Sequence, residues 1–238
     1  MRKQKAKWDI RSVGALLIGI TLVGITLGSG KIHYQPAAKE AAAMEQMKIN
    51  ADKEIKDQYI AQLEKHFEDY KRTSAITELD MKKIRIMEQY LIEQGGTGGK
   101  LEGRANDFMN ICKFSEVNLD PLLLWSITIH ETGSGHSQAI KQLNNVGGIF
   151  YGNSLMNYKS VYRGIVDMAL QLRYNGYYDN VEGFYTNNTT DTTIEQLGAI
   201  YCPVGASNDP TGLNKHWIPT VKKHYKELTN RYAAQIKL

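Results

Sequence analysis

Cysteine is nearly missing from this chain of 238 residues, which holds only Cys112 and Cys202. Neither belongs to a Cys-x-x-Cys pair, so zinc-ribbon and dithiol redox motifs are excluded. The two read as small buried hydrophobes, with a single disulfide as the alternative in an oxidising compartment. Only Lys113 brings positive charge to Cys112, which argues against a nucleophilic pair with His130. A zinc motif of the His-Glu-x-x-His type is also lacking. After His130-Glu131 it would need a histidine at position 134, where Ser134 stands, and His136 comes too late. No metal and no other cofactor is expected. Charge of one sign is not in excess: the net charge is +4, and Lys and Arg are scattered without a basic motif. That speaks against nucleic acid and fits work near an anionic wall or membrane.

Long apolar runs are scarce too, with one exception. Residues 13–27 carry no charge, and Arg2, Lys3, Lys5, Lys7 and Arg11 precede them. This is the order of a signal peptide or signal anchor with its basic end in the cytoplasm. The run reaches the roughly 17–25 residues of a spanning helix only with Ser12 and Gly28-Ser29-Gly30 near the interface. No Ala-x-Ala site follows directly, and Gly28-Ser29-Gly30 is a poor substitute. No cysteine follows either, which removes a lipid anchor at that point. The expectation is an uncleaved anchor over residues 1–30, a cleaved signal being the alternative. Either way the remainder lies outside the cytoplasm, on the cell-wall side.

Beyond Pro36 the composition turns to Ala, Glu, Lys, Met and Gln, all good helix formers. Met44, Met47, Ala51, Ile55, Tyr59, Leu63, Phe67 and Tyr70 step by three or four, the period of an amphipathic helix. Clean heptads are absent, so the stripe predicts a helical stalk over 31–94, with self-association as its alternative use. Thr77-x-x-Asp80 resembles a capping box opening a second helix that ends near Gln94. Gly95-Gly96-Thr97-Gly98-Gly99 then predicts a flexible linker over 95–100 and a domain boundary.

From Leu101 to the end the chain reads as a mainly helical unit. Asp120 and Pro121 supply an N-cap and a first helical residue, and Gly133 suits the C-cap. Between them, residues 122–129 are almost wholly apolar. Further helices are predicted near 104–113, 134–143, 162–174, 193–200 and 217–232. The Gly- and Asn-rich stretch 147–158 fits a loop or small β-hairpin.

Glu131 stands at the end of the apolar helix. Burial and the helix C-terminus both oppose its ionisation and raise its pKa, which suits a general acid. Small residues follow, so a large ligand can approach.

From about Leu101 onward the chain resembles the glucosaminidase family (glycoside hydrolase family 73 of the lysozyme superfamily). The resemblance is carried, in order, by the helix into His130-Glu131-Thr132-Gly133 and by Asn144-Asn145-Val146-Gly147-Gly148-Ile149. It continues through 160–174, Leu197-Gly198-Ala199-Ile200-Tyr201-Cys202-Pro203 and Asn214-Lys215-His216-Trp217. It implies a mainly α fold, a lysozyme-like α+β catalytic domain with a small hairpin lobe. It also implies a peptidoglycan hydrolase that cuts a β-1,4 bond in the glycan strands. Glu131 matches the family's catalytic acid and Tyr201 the aromatic residue that faces it. Asn145 and Gly148 match the turn that shapes the cleft, Phe150 falls where substrate contact is implied, and Trp217 would either pack at the groove as a further contact or lie plainly in the core. The usual scheme wants a second carboxylate. Residues 151–162 contain none, and Asp167 sits in a helical pattern that suggests a solvated or capping role. A substrate-assisted route, through the sugar's own acetamido group, needs no such partner. A muramidase or lytic transglycosylase on the same scaffold is the second reading. A glycan-binding scaffold that does not cut is the third.

Overall fold

The computed structural model describes residues 76–114, 117–151, 154–174, 193–206, 209 and 211–237, with single positions between 43 and 68. The apolar run at 13–27 lies outside them, as does all of the stalk's apolar stripe except the exposed Met47. Among the described residues, no helix is long and apolar enough to cross a membrane. The described positions between 43 and 68 are helical.

The chain is mainly helical. Helix α1 (Glu78–Glu93) starts in a complete capping box: the Thr77 hydroxyl accepts from the Asp80 amide, and the Asp80 carboxylate accepts from the Thr77 amide. Helix α2 (Ala105–Lys113) precedes the central α3 (Pro121–Thr132). The Asp120 side chain accepts from the Leu122 amide at 2.9 Å, Pro121 opens α3, and Gly133 closes it in the left-handed region at φ 53°. Leu122 through Ile129 are all buried, as a helix apolar on every side requires. Two of its hydroxyls are satisfied from within: Ser126 donates to the Leu122 carbonyl and Thr132 to the Thr128 carbonyl, each at 2.6 Å. A short α4 (Gln138–Leu143) leads to a hairpin in which β1 (Phe150–Tyr151) pairs antiparallel with β2 (Ser154–Leu155). Helices α5 (Val161–Tyr174), α6 (Ile194–Tyr201) and α7 (Trp217–Ile236) complete the unit, with a 3-10 turn at Leu213–His216.

One buried cluster runs through α1, α2, α3, α5 and α7. The placement of α1 corrects the expected stalk and linker. Ile86, Met87, Tyr90 and Leu91 are buried in the same core as Trp125. The Trp125 indole donates to the Met87 carbonyl at 3.1 Å, and the Glu88 carboxylate accepts from the Gly103 and Ala105 amides. The glycine run between α1 and α2 is an ordered surface turn with only Gly96 buried. Gly95 and Gly98 take φ of 80° and 74°, where a side chain is strained. A Cβ on Gly99 would meet the Ser134 carbonyl oxygen at 3.0 Å. The reason is tertiary: four apolar groups on one face of α1 are withdrawn from water only if the chain turns back at once.

Described helical positions between 43 and 68 also touch this unit. Arg163 on α5 donates to the Asp57 carbonyl at 2.9 Å and pairs with Glu64 at 3.4 Å.

Candidate functional site

Three segments meet around the C-terminal end of α3. The first is α3 itself, which delivers Glu131 in its last turn. Glu131 is half-buried, and its open side faces a cleft of about 440 Å³. Burial pushes its carboxyl up to about 7, and a hydrogen bond from Trp217 holds the rise back. The α3 C-terminus adds its own opposition to negative charge.

The second segment is the turn after α4. Asn144 adopts φ 54° and donates to the Tyr158 carbonyl at 2.8 Å, tying the turn to the strand side of the hairpin. Asn145 is fully buried. Its amide donates to the carbonyls of Ile149 and Met156, and its side-chain oxygen accepts from the Gly147 and Ile149 amides. All its polar capacity is spent on backbone. Asn145 thus shapes the loop that presents Gly147, Gly148 and Ile149 to the cleft. Gly148 has φ 60°, and a Cβ there would stand 2.9 Å from Glu131 Oε2. Phe150, 53% exposed, borders the same cleft.

The third segment runs from α6 to the start of α7. Tyr201 ends α6, lines the cleft and donates its hydroxyl to the Gly147 carbonyl. Burial, with the Glu131 charge second, pushes that hydroxyl well above its ordinary range, so it stays a donor. Its ring lies 5.5 Å from that of Trp217, tilted by 42°. Asp209 accepts from the Leu213 and Asn214 amides, both at 2.9 Å, and so holds the 3-10 turn that leads into Trp217. Trp217 is 1% exposed and does not line the cleft, which favours the core alternative over a substrate contact. It lies behind Glu131, its indole donating to Oε1 at 2.7 Å.

Four of the six expected site residues thus line one cleft (Glu131, Gly148, Phe150 and Tyr201), and two support it from behind. Gln171, Ile200, Cys202, Pro203 and Asn214 also line it. Gln171 was not foreseen, because the α5 pattern drew attention only to the apolar face of that helix. The wall carries no second carboxylate among the described residues. Asp167 is not solvated or capping, as its helical setting suggested; it is fully buried and accepts from the Tyr158 hydroxyl.

Cys112 and Cys202 are both free, the first buried and the second half-buried. Burial, then Glu131 and Asp209, raises the Cys202 thiol to about 11, so no thiolate nucleophile stands in the cleft at neutral pH. Burial lowers the pKa of His130. No group of three His, Cys, Asp or Glu side chains suited to a metal occurs among the described residues. The chain matches no protein-family model and no curated protein.

Proposed function

We propose that this chain is a membrane-tethered glycosidase that cuts β-1,4 bonds of peptidoglycan on a lysozyme-like scaffold, as an endo-β-N-acetylglucosaminidase. The observation that carries the reading is Glu131: a carboxyl raised to about 7 at an open cleft whose described wall holds no other acid. Such a group is protonated near neutral pH and ready to give its proton away. The cleft suits a glycan: Phe150 offers an exposed apolar ring for a sugar face, and Asn214 and Gln171 offer amides for hydroxyl and acetamido groups.

In the reaction, Glu131 protonates the glycosidic oxygen as the bond from that oxygen to the anomeric carbon breaks. The 2-acetamido carbonyl oxygen of the same sugar bonds to the anomeric carbon and takes the place of a second carboxylate. Water then opens the cyclic intermediate, giving up a proton to Glu131 and leaving a reducing sugar end. Tyr201, whose hydroxyl donates to the Gly147 carbonyl, holds the cleft loop in place and presents its ring to the sugar. The uncharged run at 13–27 behind its basic flank supports a membrane tether. The tether confines cutting to wall close to the membrane.

Glu131→Gln tests the acid. Lysis of purified peptidoglycan should fall by about 10²–10⁴-fold with the fold intact, and undiminished lysis would sink the proposal. Mass spectrometry of fragments from the wild-type protein tests the bond: reducing N-acetylglucosamine ends are expected. Reducing or anhydro N-acetylmuramic acid ends would reassign the chain as a muramidase or a lytic transglycosylase.

A further inference from the structure

The two oxygens of Glu131 occupy different surroundings. Oε1 accepts the Trp217 indole N–H at 2.7 Å. Oε2 lies beside Gly148, where an added Cβ would stand 2.9 Å from it and would find no heavy atom within 4 Å outside Glu131 and the neighbouring chain. Oε2 therefore borders open space on the loop that lines the cleft. An indole nitrogen only donates. In a protonated carboxyl the carbonyl oxygen is the better acceptor, so the oxygen facing the indole is the carbonyl and the proton sits on the other one.

Trp217 itself has little freedom. It is 1% exposed and packs against Tyr201. One turn earlier on the same helix α6, a Cβ at Gly198 would stand 3.0 Å from the Trp217 Cε3. The Asp209-held turn fixes the backbone just before it. The donor direction is thus set by packing before any ligand arrives.

We infer that Trp217 is a positioning residue that holds the Glu131 proton on Oε2, aimed past Gly148 into the cleft, and then stabilises the carboxylate left after transfer. The inference rests on the glycosidase reading for the identity of the proton acceptor, and on geometry alone for the site of the proton. In the carboxylate the indole bond becomes charge-assisted and strengthens, so it favours proton release. The Gly at 148 is the counterpart of the Trp at 217: one closes Oε1, and the other keeps Oε2 accessible.

The test replaces the donor and nothing else. β-(3-Benzothienyl)alanine at position 217 keeps a ring of the tryptophan shape and exchanges the N–H for sulfur. Trp217→Phe is the second variant, also without a donor. Titration of the Glu131 carboxyl, followed by carbon NMR of glutamate-labelled protein against Glu131→Gln, should show its midpoint raised by about one pH unit in either folded variant. The alkaline limb of peptidoglycan lysis should move upward with it. At pH 5, where the acid is protonated in every form, kcat should drop about tenfold while KM stays level. A midpoint and limb that stay put or move down in a folded variant overturn the assignment. A raised midpoint in a protein that never cuts glycan would support the proton assignment and overturn the glycosidase reading, so the two failures are separable.

Discussion

At position 131 burial raises a carboxyl from 4.5 to about 7 in the folded state. The unfolded chain restores the ordinary value, so between those two pH values the folded state binds more protons than the unfolded one. The stabilising contribution of this group is complete below about 4.5 and is lost as pH rises through about 7. Glu131→Gln carries no charge to lose, and its amide oxygen can still accept from Trp217. We predict equal stability of the two proteins at pH 4 and a more stable variant at pH 8, by about 2–3 kcal/mol after allowance for the open side of the group. Denaturant unfolding at the two pH values measures it, and a wild-type protein more stable at pH 8 would refute it. Activity has the same hinge: a general acid works below its pKa, so lysis should decline above about pH 7. Gly148→Ala probes the space beside the carboxyl. Its Cβ would press on Oε2 at 2.9 Å, and φ 60° is strained for alanine. The expected result is lysis reduced by more than tenfold for a loss of about 1 kcal/mol in stability, read from a lysis assay and a melting curve on the same sample.

Helix ends were largely legible because their signals are local. Asp120-Pro121 and Gly133 bracket α3, and Thr77 with Asp80 opens α1, since each cap is made by residues within four positions. What the helices pack on was less legible. The same glycine run that allows a flexible linker also allows left-handed turns, and only the burial of α1 on Trp125 decides between them. Asp167 looks like a polar surface residue in sequence but is consumed by Tyr158, and the four backbone groups that fix the Asn145 side chain are likewise known only from the fold. Glu131 was legible because its helix is apolar throughout, but its bond to Trp217 spans 86 residues and leaves no local trace. At this scale Gly164 on α5 is a sensitive point. A Cβ there would stand 2.2 Å from the Asn144 carbonyl oxygen, a backbone atom that no rotamer change can move. Gly164→Ala should therefore separate α5 from the turn that carries the cleft loop and lower stability by about 1–3 kcal/mol. A melting temperature within a degree of wild type would show that the turn yields without cost.

For the molecule as a whole the question is where the folding unit begins. A boundary at the glycine run would leave residues 101–238 as an independent domain, yet the core does not stop there. Removing α1 strips Ile86, Met87, Tyr90 and Leu91 from contact with α3 and α7. It also leaves the Trp125 indole and the amides of Gly103 and Ala105 without their partners on Met87 and Glu88. Asp80 no longer pairs with Lys113 at 2.6 Å, nor Glu93 with Arg231 at 2.6 Å. Surface pairs such as these contribute little. The apolar loss decides the matter: four buried side chains at about 1.5–3 kcal/mol each are comparable with the entire stability of a domain of this size. A fragment of residues 76–238 should unfold in one cooperative transition. A fragment of residues 101–238 should show no such transition, with α3 exposing its apolar face and the protein aggregating. Circular dichroism melting of the two fragments, side by side, distinguishes the alternatives. If the shorter one melts cooperatively, α1 is an appendage on a complete core; if only the longer one does, the helix read as the end of a stalk is the first element of the head.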